Sequence, residues 1–338
     1  MVRSAPWLAF GVCVLAAGGV WLYRAGHPSG VVGGDARQIV QEAWTNGRRV
    51  ALSGEQLTSV GGAKEPLKTH VLYSREGSMR IEYQNEPLKG VTIWENSGRT
   101  YRYNPRMKRL TVAQRRTTPE DRERQERQLL ENYTPKIVGT ALIADRKATV
   151  VELRSKNHAD RLKRVWIDPQ TSVVLGSEDL EGRNLLRSTK FTRVDYFPSG
   201  KEPAEAEFQP SAELVAKYGT ARPGDTSTKF EPEHLSKLVG FTVRVPKSVP
   251  KGYVLQGAYQ LPCLCGKRHQ AARLEYSDGL NTLSLFECGH PECTAAVTRP
   301  KKARSPLAFS LIKGHFYYLA VGDAPREDME KIVRSAAE

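Results

Sequence analysis

Four of the five cysteines in this 338-residue chain cluster near its C-terminal end. Cys263 and Cys265 form a C-x-C pair, and Cys288 and Cys293 bracket the run CGHPEC. Thiols grouped in this way form disulfides in an oxidising compartment, or bind a soft divalent metal as thiolates. A hairpin turning at Asp278-Gly279 separates the two pairs. Its antiparallel pairing brings the segment before Ala271 alongside the segment after Phe286, so all four thiols share one patch. Bonding within C-x-C is strained, so the disulfide reading joins each of Cys263 and Cys265 to one of Cys288 and Cys293. The alternative is one structural Zn²⁺ at the four-cysteine cluster, or a site using His269 or His290. Free or redox thiols are the third reading. Neither disulfides nor zinc implies catalysis.

Catalytic constellations are otherwise weak. Seven histidines occur, none in H-E-x-x-H, and there is no G-x-S-x-G elbow. The Gly-rich stretch at 29–34 lacks G-x-G-x-x-G and follows no strand, so it reads as a linker. Acidic residues gather in turns and in one charged segment, where solvation explains them. The expectation is a binding protein with no enzyme activity. The aromatic residues offer a different chemistry. Tyr73, Tyr83, Trp94, Tyr101, Tyr103 and Trp166 fall on neighbouring strands. They pack across strands as core, or they leave an apolar cleft that takes a hydrophobic ligand. In the cleft reading Tyr83, Ile93, Trp94, Tyr101, Tyr103 and Trp166 line it. A register slip of one residue inverts every such assignment.

Antiparallel strands must position these residues. MRIEYQ alternates strictly, with Met79, Ile81 and Tyr83 on one side and Arg80, Glu82 and Gln84 on the other. Similar short runs recur from VALSGEQL to KRLTVAQ, divided by Glu76-Gly77, Lys89-Gly90, Asn96-Ser97-Gly98 and Asn104-Pro105. Asp35 caps a helix, ARQIVQEAW. Thr118 caps a second, PEDRERQERQLLENY, which reads as solvated and anchored only at Leu129, Leu130 and Tyr133. Five more strands run from PKIVGTALIA to RNLLRSTKFTRVDYF. The periodicity fades where Pro, Gly, Glu and Ser accumulate, so residues 211–230 read as a linker. It divides a domain at 35–210 from a smaller α+β domain at 231–338. In the latter, FTVRVP and GYVLQGAY read as extended, LAFSLIKGHFYYLAVGD as a hairpin turning at Lys313-Gly314, and Asp323 as the cap of a final helix. The fold class is α+β, mainly β.

Compartment follows from the first residues. An apolar run at 7–23, flanked by Arg3 and Arg24, is just long enough to cross a bilayer, and Trp7, Trp21 and Tyr23 sit near its ends. It reads as an uncleaved single-pass anchor in the cytoplasmic membrane with the body outside the cytoplasm, a signal peptide being the alternative. Cys13 lies within it and is inert. The net charge of +14 is spread along the chain without a zinc-finger or helix-turn-helix pattern. It suits an anionic membrane or wall rather than nucleic acid.

The runs RIEYQNEPLKGVTIWENSGRTYRYNPRMKRL and LLENYTPKIVGTALIADRKATVVELRS resemble strands of the LolA/LolB-like lipoprotein-binding superfamily. RLKRVWIDPQTSVVLGSEDLEGRNLLRSTKFTRVDYF continues that likeness. The order is similar to the periplasmic RseB/MucB group, and VPKSVPKGYVLQGAY and YYLAVGDAPREDMEKIVRSA resemble parts of its C-terminal domain. The resemblance implies a LolA-like curved antiparallel half-barrel with covering helices and an apolar cavity. It implies a non-catalytic regulator in the envelope stress response, which binds a membrane-embedded anti-sigma factor and senses lipid. In the LolA-type carriers the cavity holds lipoprotein acyl chains instead. The uncleaved anchor is not typical of a diffusing carrier, and the four-cysteine cluster is not part of the RseB/MucB pattern.

Overall fold

Period-two alternation is realised as a twelve-stranded sheet. The structure, a computed structural model, describes residues 35–61, 65–96, 98–114, 119–220, 229–263, 269–291, 293 and 308–338. The anchor run with Trp7, Cys13, Trp21 and Tyr23, the Thr118 cap and Cys265 lie outside the described residues. Among the described residues, no helix is long and apolar enough to cross a membrane.

The first six strands form a meander: β1 (Leu52–Val60), β2 (Leu67–Tyr73), β3 (Met79–Tyr83), β4 (Thr92–Glu95), β5 (Arg99–Asn104) and β6 (Arg109–Gln114). A second meander follows: β7 (Tyr133–Ile143), β8 (Arg146–Ser155), β9 (Arg161–Ile167), β10 (Val174–Glu181) and β11 (Asn184–Tyr196). β1 pairs with β11 and joins the two. The sheet order is β12-β6-β5-β4-β3-β2-β1-β11-β10-β9-β8-β7, where β12 (Gly219–Thr220) adds in parallel at the edge.

This sheet is strongly curved. Four strand spacings of ~4.8 Å separate β7 from β11 in a flat sheet, about 19 Å. Their Cα atoms nevertheless approach within 8 Å. Gly176 on β10 lies close to β7, and a Cβ there would stand 3.2 Å from the Ile143 Cδ1. Leu52, Val71, Ile143, Val150, Trp166, Leu175 and Phe191 form the core of the concave face. Helix α1 (Ala36–Thr45) packs on β7 and buries Val40 and Ala43. Its N-terminus is capped as its sequence predicts, with Asp35 Oδ1 accepting from the Arg37 N–H at 2.9 Å.

The segment read as the start of the linker is folded. Helix α3 (Ala212–Tyr218) is capped by Ser211 and leads directly into β12. The apolar surface of α3 is only Leu214, Val215 and Tyr218, too little for periodicity to register.

The second unit contains residues 229–338 together with 119–129 of helix α2 (Pro119–Asn132); Leu130 onward belongs to the first. Its sheet runs β13 (Val254–Pro262), β14 (Gln270–Ser277), β15 (Thr282–Cys288), β17 (Phe316–Gly322), β16 (Ala308–Lys313), all antiparallel. Helices α4 (Pro232–Val239) and α5 (Arg326–Ala337) cover one face. The α5 stripe Met329, Ile332, Val333 and Ala336 has the i, i+3, i+4, i+7 spacing of a buried helix face. Both hairpins turn where the sequence places them, at Gly279 and Gly314, each with positive φ. FTVRVP is not a strand, and Pro325 rather than Asp323 stands at the N-cap of α5.

Helix α2 corrects the reading of a solvated segment. Asp121 and Gln128 are buried. Asp121 accepts from Lys229 Nζ at 2.7 Å and from Arg124. Gln128 donates to the Ser277 carbonyl and accepts from Gln256, each at 3.1 Å. Arg124 Nε donates to Gln256 Oε1, also at 3.1 Å. The helix docks through hydrogen bonds, a signal that hydrophobic periodicity does not carry. Gly279 makes room for it, since a Cβ there would meet the Leu129 backbone nitrogen at 2.2 Å.

Candidate functional site

The alternation of β3, β4 and β5 splits the aromatic group between two faces. Ile81 pairs with Ile93, whereas Trp94 pairs with Tyr101 and Arg80. Tyr83 and Ile93 therefore share the concave side, where they cluster with Val91 and the partly buried Leu67, Ile81 and Leu88. Trp166 lies in the adjoining concave core beside Val150, with Tyr73 packed against that core. Trp94, Tyr101 and Tyr103 face the convex side. There Trp94 and Tyr101 pack with Leu110, and Tyr103, Leu214 and Tyr218 close over them. The rings of Tyr103 and Tyr218 stand 5.7 Å apart. Helix α3 thus covers the convex aromatics as ordinary core. The structure brings Tyr83, Ile93 and Trp166 to one face, not all six residues.

The concave floor is amphipathic along its strands. Beyond Trp166 and Val150, the same face of β8 to β11 carries Glu152, Arg164, Glu178 and Lys190. Arg164 bonds Glu152 at 2.8 Å and Glu178 at 3.3 Å. Lys190 bonds Glu178 at 2.6 Å and places its ammonium 4.4 Å from the Trp166 ring centroid. A fixed ionic network therefore meets an apolar floor in which Tyr83, Ile93 and Trp166 are each 6% exposed. Burial pushes the Glu152 carboxyl up, but Arg164 and Arg154 outweigh it and hold it below the ordinary range. On the opposite face of these strands, Asp179 bonds Lys163 at 2.7 Å and Arg187 at 2.8 Å. Burial raises its pKa, yet the two cations overcome that and bring it down to about 2. The signal for both networks stood in the sequence as the cationic strand RLKR opposite the acidic strand SEDLE.

A second cluster lies in the other unit. Cys263 follows β13, Cys288 ends β15, and Cys293 comes from the turn beyond. These three thiols are buried and none is joined to another. Contact with Cys263, then burial, then Cys293 pushes the Cys288 thiol pKa up. The rings of His269 and His290 stack alongside each other at 4.3 Å. On the other face of β15, Glu287 is fully enclosed. It accepts a 3.0 Å hydrogen bond from the Arg244 backbone N–H, and burial raises its pKa to about 8.

Residues 68–212 match the MucB/RseB N-terminal domain family. A crystal structure of MucB superposes with a TM-score of 0.59 at 17% identity, covering 90% of this chain and 98% of that one. MucB in complex with MucA(peri) gives 0.61 at 18%, covering 89% and 98%. The Pseudomonas aeruginosa MucA/MucB complex gives 0.59 at 16%, covering 89% and 97%. At these identities the structural likeness is one of fold. No curated protein matches the chain significantly. Sequence and fold point the same way: residues 68–212 are similar to the MucB/RseB N-terminal domain, and the chain shares the fold of MucB.

Proposed function

We propose that this chain is a non-catalytic regulatory binding protein of the extracytoplasmic space. It binds the exported part of a membrane-spanning anti-sigma factor, with its body tethered by the apolar run at 7–23. A lipid-like amphiphile bound on the concave face of the first sheet weakens that hold. The observation that carries the reading is the fold shared over nine-tenths of the chain with MucB, a protein solved in complex with MucA(peri). The concave floor supports the amphiphile: apolar Tyr83, Ile93 and Trp166 adjoin the network Glu152–Arg164–Glu178–Lys190. Burying an acyl chain there stabilises the complex by about 0.8 kcal/mol per CH₂.

In-cell cross-linking of the tagged full chain, followed by identification of the captured proteins, tests this. A single-span anti-sigma factor is the expected product, and its yield falls when an anionic amphiphile is supplied. Recovery of acylated lipoproteins without such a factor sinks the regulator reading and favours a carrier. N-terminal sequencing of the same material tests the tether, which requires that residues 7–23 be retained.

A further inference from the structure

The thiol cluster has a geometry that paired chemistry does not explain. Cys263 Sγ lies 2.9 Å from Cys288 Sγ and 3.2 Å from Cys293 Sγ, and Cys288 and Cys293 are 2.7 Å apart. Three sulfurs form a nearly regular triangle, and each is at most 6% exposed. Disulfides consume sulfurs two at a time at ~2.05 Å, and this triangle singles out no pair. A buried cysteine packing as a small hydrophobe accounts for one thiol in a core, not for three aimed at one point.

The backbone holds the triangle from three directions. The Cys263 N–H donates to the His269 carbonyl at 2.8 Å, and the Cys293 N–H donates to the His290 carbonyl at 2.8 Å. Cys288 is fixed by its place in β15, paired with Tyr317 of β17. Among groups of ligating side chains in the described residues, these three sulfurs converge within one ion's reach. Beside them, His290 Nε2 is enclosed and has no hydrogen-bond partner among the described residues.

We infer that Cys263, Cys288 and Cys293 together bind one Zn²⁺ as thiolates, with a fourth tetrahedral position taken by another donor. Zn–S bonds of ~2.3 Å in a tetrahedron place sulfurs about 3.8 Å apart, so the triangle opens by up to about 1 Å on loading. Three thiol protons leave to solvent and no group is oxidised. The ion pins the end of β13, the end of β15 and the turn after it, which lie up to thirty residues apart in sequence.

The test uses the full chain isolated from its own compartment without added metal or reductant. Elemental analysis should give one zinc per chain, and the three thiols should resist alkylation until a chelator is added. Replacement of the zinc by Co²⁺ should produce an intense sulfur-to-cobalt charge-transfer band. Cys263→Ser and Cys293→Ser should each lower metal affinity at least tenfold. The band is read on the unaltered chain, so the inference stays testable if a variant does not fold. A chain without zinc whose mass shows these cysteines oxidised to disulfides overturns it. So does Co²⁺ uptake without the charge-transfer band, which would place the metal on other ligands.

Discussion

Asp179 in the first unit and Glu287 in the second are both enclosed carboxyls, and they titrate in opposite directions. Asp179 has Lys163 and Arg187 within 2.8 Å, and its pKa falls to about 2. Glu287 has one backbone N–H on one oxygen, its Oε1 has no hydrogen-bond partner among the described residues, and its pKa rises to about 8. Burial opposes the charge in both places. Two cations at contact distance outweigh it, whereas a single N–H and the Arg244 charge do not. The first sheet has ion pairs ranged across four strands, whereas Glu287 is a carboxyl enclosed in the second unit without a salt-bridge partner among the described residues.

The comparison breaks most directly at Asp179. Asp179→Ala leaves Lys163 and Arg187 facing each other, both only about one-sixth exposed. Losing one partner of an enclosed pair costs about 3–5 kcal/mol, and chemical denaturation followed by local hydrogen exchange in β9 to β11 measures it. The wild-type pH dependence sharpens the point. A carboxyl whose folded pKa lies below its unfolded value contributes stability that is present above pH 3.8 and lost as pH falls through 2. Asp179→Asn should therefore flatten the acid limb of the first unit's stability.

Glu287 predicts the mirror image. Its folded pKa lies above the unfolded 4.5, so its contribution is full below pH 4.5 and is lost as pH rises through about 8. Glu287→Gln should stabilise the second unit at pH 9 by on the order of 2–3 kcal/mol and make no difference near pH 4. A gain that is the same at both pH values would show that ionisation of Glu287 is not its cause.

Gly279 separates polar docking from apolar packing on a smaller scale. At φ +94° with the α2 backbone 2.2 Å from a notional Cβ, Gly279→Ala strains the turn and displaces α2. A loss of about 1–3 kcal/mol is expected, with faster amide exchange over 119–129 and little change in α4 or α5.

Much of this was legible from the chain. The alternation of Met79, Ile81 and Tyr83, the Asp35 cap and the Gly279 and Gly314 turns are local features, and each appears where its residues predict it. What escaped depends on partners distant in sequence. α3 is too short for periodicity and is defined by the cover it gives Trp94, Tyr101 and Tyr103 from a hundred residues away. α2 docks through Asp121, Arg124 and Gln128, residue types that read as solvated until Lys229, Gln256 and Ser277 are placed beside them. The aromatic group failed to stay together for a simpler reason. Ile93 and Trp94 are consecutive on one strand, so one residue of either kind must leave whichever face holds the other.

That split supplies the finest comparison, between the two faces of one sheet. If the concave floor is the amphiphile site, Trp166→Phe shortens the ring under Lys190 and alters the surface on which a chain would lie. Tyr103→Phe removes only a hydroxyl on the side closed by α3. Binding of a fluorescent acyl-chain probe to the full chain should weaken about three- to tenfold for Trp166→Phe, roughly 1 kcal/mol. It should be unchanged for Tyr103→Phe, with the melting temperatures of both within a few degrees of the parent. Equal weakening by both variants would mean that the probe senses general loosening of the sheet. An effect confined to Tyr103→Phe would move the site to the convex face and require α3 to lift before a ligand binds.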